Sequence, residues 1–149
     1  MNQSKRLILA GCLVINDKKQ ILLLLRKDHN HYETPGGKVN PDDCENADAI
    51  SINDLAKTAE SELYEELGNH ITVSPLSYFA SIEFRVPDGR LATANKFLTR
   101  IISGKPIVNE PSIFERFDFL PISNLENYEL SPDLKLLLPR IKFLLSTNT

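Results

Sequence analysis

The chain has 149 residues, of which 42% are hydrophobic and 25% charged, the size and balance of one globular domain with a core of its own. Its net charge of −3 provides no overall basic field, which argues against a nucleic-acid duplex as its main partner. Two cysteines, Cys12 in an apolar run and Cys44 in a polar stretch, offer neither zinc spacing nor a disulfide framework and read as free thiols of a cytoplasmic protein.

Residues 1–6, followed by the apolar run at 7–15, have the outline of a signal peptide's charged and apolar regions. The run passes straight into a turn at Asn16-Asp17-Lys18-Lys19, with no small-residue cleavage site, so it reads as a strand, and no segment is long enough to span a bilayer. Residues 7–15 and 21–26 predict an antiparallel hairpin, apolar enough to be covered by helices on both faces. Residues 27–46 are loop-like, with turns at Pro35-Gly36-Gly37 and Asn40-Pro41-Asp42-Asp43. Ser51-Ile52-Asn53-Asp54 fits a capping box opening a helix over about 54–67, which Gly68 closes. Strands are expected at 71–73, 76–86, 95–102 and 114–120, the second and third joined in a hairpin across Pro87-Asp88-Gly89-Arg90. Ser131 and Pro132 supply the N-cap and first position of a last helix, which Pro139 is expected to kink or split before Ile141.

The helix over 54–67 carries the most informative residues. At about 100° per residue, Glu62 and Glu66 project on nearly the same line and Glu65 lies about a sixth of a turn away. Three carboxylates therefore converge. Leu55, Ala56, Ala59, Leu63 and Leu67 form an apolar arc that contains Glu66 and has Glu62 on its edge, which is not where a solvated acidic face belongs. Like charges so spaced destabilise a helix by a few tenths of a kcal/mol. A hard cation such as Mg²⁺ or Mn²⁺, which takes carboxylate oxygens, would explain their presence.

These residues resemble the signature of the Nudix hydrolases, in which a glycine and a glutamate precede Arg-Glu, an aliphatic, any residue, Glu-Glu, any residue and a glycine. Gly37 matches the opening glycine, Asp43 stands at the first glutamate, and Glu62-Leu63-Tyr64-Glu65-Glu66-Leu67-Gly68 matches the second half. The strand ending at Arg26, the loop Thr34-Pro35-Gly36-Gly37-Lys38-Val39 and the segment Phe119-Leu120-Pro121-Ile122-Ser123-Asn124-Leu125 are also similar to family features, so the resemblance covers nearly the whole chain. Three departures stand out: Ser61 at the arginine position, Asp43 for glutamate, and an insertion of about ten residues within 44–54. A loop insertion costs little because closure entropy grows slowly with length.

The resemblance implies an α+β Nudix fold over residues 1–149, an α/β/α sandwich with a mixed β-sheet. It implies Mg²⁺- or Mn²⁺-dependent hydrolysis of a phosphoanhydride in a nucleoside diphosphate linked to another group, such as a (d)NTP or an ADP-sugar. Glu65, Glu66 and the Gly36 carbonyl are the expected metal ligands, with Glu62 a further ligand or the base and Glu115 an additional carboxylate. Arg26, Gly37 and Lys38 are the expected substrate contacts, and Tyr32, Phe79 and Phe84 are candidates to stack on a base. His29 and His31 with Asp28 form a less specific metal-clip pattern. The partner is then a small nucleotide, with no membrane, and a homodimer is compatible with the sequence. The alternative, motivated by Ser61 and the insertion, is a catalytically weak or inactive Nudix-fold domain that binds a nucleotide-like ligand.

Overall fold

The computed structural model describes residues 6–146, so residues 1–5 of the basic N-terminal segment lie outside it. In chain order the strands are β1 (Leu7–Val14), β2 (Gln20–Arg26), β3 (His31–Glu33), β4 (Gly36–Lys38), β5 (Thr72–Val73), β6 (Ser77–Arg85), β7 (Leu91–Thr99), β8 (Ile101–Ser103) and β9 (Phe114–Pro121). Two helices, α1 (Ile52–Leu67) and α2 (Pro132–Ser146), accompany them, with 3₁₀ turns at Pro41–Asp43 and Ile122–Asn127. The strands form a four-stranded sheet in the order β4-β1-β7-β6, a three-stranded sheet in the order β3-β2-β9, and a short β5-β8 ribbon. The four-stranded sheet is mixed, because β1 runs parallel to β7 and antiparallel to β4.

Period-two alternation explains why β1 and β2 are apolar throughout. Cys12, Val14, Leu22 and Leu24 pack on the side of α1, against Ala59, Leu63 and Leu67. Leu13, Ile21 and Leu23 pack on the other side, against Leu134, Leu137 and Ile141 of α2. Helices thus cover both faces, the expected α/β/α sandwich.

Three local expectations are corrected. β1 and β2 exist but do not form a hairpin: beyond one bridge, Ile15 to Ile21, they enter different sheets. A full-length parallel partner in β7, with Leu7 opposite Ala92 and Val14 opposite Thr99, outcompetes the local pairing. The stretch 27–46 is not all loop, since it contains β3 and β4. At Gly36 a Cβ would lie 2.7 Å from the Ala10 carbonyl oxygen and 2.8 Å from the Gly11 Cα, so only a glycine lets this edge strand approach β1 so closely. Finally, α2 continues through Pro139 without a break. Pro139 and Lys135 are both exposed, so water reaches the Lys135 carbonyl that the proline cannot serve.

Candidate active site

The site is built on the C-terminal half of α1 and the edge strand β4. Ser51 caps the helix as expected: its hydroxyl accepts from the Asp54 N–H at 3.1 Å while the Asp54 carboxylate accepts from the Ser51 N–H. Gly68 ends it with φ +90°, donating its N–H to the Tyr64 carbonyl at 2.8 Å. Between these stops the apolar stripe fixes the rotation of the helix on the sheet. That rotation aims Glu62 and Glu66 at the glycine strand and leaves Glu65 exposed beside them.

Glu66 is only 5% exposed, and its carboxylate accepts from the Gly36 N–H at 3.3 Å. Pro35 and Val39 bond to β1 on either side of this point, the Pro35 carbonyl accepting from the Cys12 N–H and the Val39 N–H donating to the Ile8 carbonyl. The alternation of antiparallel bonding then turns both the N–H and the carbonyl of Gly36 away from β1, toward α1. Gly37 faces Glu62 so closely that a Cβ there would lie 2.5 Å from its Cδ and Oε1. The two glycines therefore serve different neighbours, one the sheet and one the carboxylate.

The electrostatics are those of acids crowded without a cation. Burial, then the neighbouring Glu62, raises the Glu66 carboxyl from 4.5 to about 9, against the pull of the Gly36 N–H and with help from Glu33 and Glu110. Burial, then Glu65 and Glu110, also raises Glu62, which a hydrogen bond from Glu66 partly offsets. Ser61 donates its hydroxyl to Glu65 at 3.2 Å, giving this carboxylate a neutral partner. No three His, Cys, Asp or Glu side chains among the described residues converge into a ready-made cage. Mg²⁺ does not require one, since it commonly binds through one or two carboxylates and keeps waters and substrate phosphates. A hard oxygen-donor set with a buried acid lacking a cation partner and an outward carbonyl fits such an ion, which Glu65, Glu66 and the Gly36 carbonyl could hold.

Not every expected residue joins this group. Glu115 lies on β9 beside Arg116, Oε2 to Nη1 3.8 Å, and more than half exposed, at the point where the β2–β9 register slips. Glu110 is the late-chain carboxylate whose charge reaches Glu62 and Glu66. It is brought there because Ile107 N–H and Asn109 N–H bond to the last carbonyls of α1, those of Leu67 and Glu66, at 2.9 Å each. Asp43 and Lys38 are exposed and line a cleft of about 300 Å³ that also contains Ser61, Glu62 and Glu65.

Arg26 lines a separate cavity of about 590 Å³ with Glu33, His31 and Phe84. Its guanidinium binds Asp28 at 2.9 Å and Glu33 at 3.1 Å and lies over the Phe114 ring. His31 takes the other oxygen of Glu33, Nε2 to Oε1 2.9 Å, so the two loop histidines do not form a clip of their own. Of the three aromatics, Phe84 lines this cavity, Phe79 packs toward α2, and Tyr32 is buried with its hydroxyl on Asp118 at 2.6 Å. Neither Glu33 nor Glu110 stands out in the sequence, because isolated acids in polar stretches look alike until the backbone is folded.

The NUDIX domain family matches the chain over residues 5–141. This chain belongs to the NUDIX family, whose members are hydrolases acting on pyrophosphate bonds. No curated protein matches it. Among solved structures it is similar to a MutT NUDIX hydrolase from Burkholderia pseudomallei, at 22% identity and TM-score 0.72, over 91% of this chain and 97% of that one. It is also similar to a MutT protein from Methanosarcina mazei Go1, at 18% identity and TM-score 0.72, over 99% of both chains. A third likeness is to the NUDIX domain of Shewanella oneidensis NrtR in complex with ADP ribose, at 13% identity and TM-score 0.67, over 94% of this chain and 88% of that one. At these identities the structures report the shared fold.

Proposed function

We propose that this chain, acting as one Nudix unit over residues 1–149, is a Mg²⁺- or Mn²⁺-dependent nucleotide pyrophosphohydrolase of the cytoplasm. Its substrate is a nucleoside diphosphate linked to another group, of the (d)NTP or ADP-sugar kind. The observation that carries this reading is the buried Glu66 and half-buried Glu62 facing the Gly36–Gly37 edge without a cation partner among the described residues, with Glu65 exposed beside them. The ADP ribose bound by the NrtR domain supports it by showing that the fold accommodates such a ligand.

Glu65, Glu66 and the Gly36 carbonyl would hold a divalent ion, which would supply charge neutralisation for phosphate oxygens. Glu62, held against Gly37 and raised above the usual carboxylate range, accepts the proton of the attacking water as its oxygen bonds to phosphorus and the bridging P–O bond breaks. Arg26, oriented by Asp28 and Glu33, and Lys38, in the cleft with Glu62 and Glu65, serve as cations for substrate phosphates. Among the described residues no helix is long and apolar enough to cross a membrane.

The decisive experiment is release of a nucleoside monophosphate from a panel of nucleotides with Mg²⁺ or Mn²⁺, alongside Glu65→Gln. Turnover that disappears in the variant while its melting temperature is kept supports the enzyme. Ser61, which gives Glu65 only a hydroxyl, favours one rival, a nucleotide-binding domain without turnover. The rival holds if the whole panel stays intact while nucleotides still raise the melting temperature.

A further inference from the structure

Two cavities flank the glutamates, and their chemistry differs. The larger, with Arg26 and Glu33, has an apolar part made by Leu7, Phe84 and Val86. The smaller, of about 300 Å³, begins at Glu62 and Glu65 and follows the outer stripe of α1 toward its first turn, with the segment after β4 as its other wall. Its walls carry an ammonium each, Lys38 from β4 and Lys57 from α1. Neither lysine forms an ion pair within 4.0 Å among the described residues, although acids line the same cleft. Asp54, the acid one turn before Lys57, is held by the Ser51 N–H in the helix cap. Two lysines without an ion pair among the described residues thus line, together with Asp43 and Asp54, a polar cleft that reaches Glu62 and Glu65.

We infer that this cleft, through Lys57 together with Lys38, is the subsite for the phosphates beyond the scissile bond, which makes the preferred substrate a nucleoside triphosphate. The inference rests on the pyrophosphohydrolase reading. Glu33 lines the larger cavity and acts on Glu66, while Glu62 and Glu65 line the smaller one, so the carboxylates lie between the two. A substrate laid across them places its ring-bearing end against Phe84 and its remaining phosphates between the lysines. An uncharged sugar at that end leaves both ammonium groups without a partner, whereas a terminal phosphate or pyrophosphate engages both. Asn40 and Thr58, in the same cleft, add uncharged hydrogen-bonding groups for phosphate oxygens. The extended segment within 44–54 forms the approach to this cleft through Cys44, so it shapes this end of the substrate site.

The test compares kcat/KM for a nucleoside triphosphate and for ADP-ribose, with Mg²⁺, in the full chain and in Lys57→Gln. Lys57 is exposed on α1, so the variant keeps its fold. A charge-assisted contact of the ordinary size corresponds to about a 10- to 100-fold loss for the triphosphate, carried mainly by KM. ADP-ribose turnover should stay within about twofold, and Lys57→Arg should recover most of the triphosphate activity. Equal losses on both substrates, no loss on either, or a wild-type preference for ADP-ribose overturns the inference while leaving the enzyme reading intact. If the wild type turns over nothing, that reading fails instead. The subsite is then judged by binding: inorganic pyrophosphate with Mg²⁺ should raise the melting temperature of the wild type more than that of Lys57→Gln, and equal shifts refute it.

Discussion

Lys96 and Glu66 are each 5% exposed, and each belongs to an element packed against β1, yet their surroundings are opposite. Lys96, on β7, meets the Asp133 carboxylate of α2 at 2.8 Å and the Thr34 hydroxyl at 2.6 Å. Burial pushes Asp133 up, but the Lys96 ammonium outweighs it and holds the carboxyl below its usual value. Glu66 has one backbone N–H at 3.3 Å and other acids around it, and its carboxyl rises to about 9. One buried charge ties the segment leading into the glycine strand to the start of α2, complete without any ligand. The other has no cation beside it among the described residues, and burial favours its neutral form. A satisfied charge of this kind belongs to the framework, and an unsatisfied one marks where the chemistry happens.

Exchanging each charge for a neutral group should break the comparison most clearly. Glu66→Gln should lower kcat by at least about a hundredfold while the metal-free melting temperature holds or rises, because it removes an acid that burial penalises. Lys96→Met should do the reverse to the fold, costing about 3–5 kcal/mol by stranding Asp133, and the added Asp133→Leu should recover much of it. Calorimetry on both variants decides; a Glu66→Gln protein less stable than Lys96→Met would mean the two sites had been assigned backwards.

The glycine pair offers a second contrast of smaller size. Gly36→Ala sets a methyl against the backbone of Ala10 and Gly11 and should lower the melting temperature by several degrees. Gly37→Ala meets the end of the flexible Glu62 side chain, so stability should hold while kcat falls about tenfold or more. Equal melting temperatures for the two variants would show that β4 tolerates displacement from β1.

The gentlest probe is pH. Because the folded Glu66 carboxyl lies above its unfolded value of 4.5, the folded state holds more protons between 4.5 and about 9, so metal-free stability should fall as pH rises through that window. Mg²⁺, which needs the ionised form, should restore progressively more stability at higher pH. Asp133 behaves in the opposite sense: its contribution is present above 3.8 and is lost as pH falls below that value. Melting curves from pH 3 to 9, with and without Mg²⁺, separate the two, and a metal effect independent of pH would remove Glu66 from the metal site.

The local signals were the legible ones. The capping box at Ser51, the stop at Gly68 and the apolar stripe of α1 are written within one helix, so the rotation that buries Glu66 could be read directly. Strands were legible as apolar runs, but their partners were not: nothing in residues 7–15 or 21–26 shows that β7 and β9 will claim them. Glu110 was missed in favour of Glu115 because its position depends on backbone bonds from Ile107 and Asn109 to the end of α1, which no side-chain pattern announces. Lys96 was missed because a single lysine in a strand reads as solvent-facing until Asp133, on a distant helix, is folded against it.

The parallel pairing of β1 with β7 also governs how the protein is made. Gly36 and Gly37 are held in place by β1, and β1 is held along its whole length by β7, from Ala92 to Thr99. A ribosome-bound chain that has just released Gly68 already carries the entire signature, yet β1 has no long partner strand to pair with. Closing so distant a contact is slow compared with forming a helix. In the nascent chain α1 should therefore keep Leu63 and Leu67 incompletely covered until the β6–β7 hairpin gives the first strand its partner, which proteolysis of stalled chains of increasing length would show. The glycine strand and α1 thus depend on segments made well after them, β7 and then the stretch through Ile107 and Asn109 that bonds to the end of the helix.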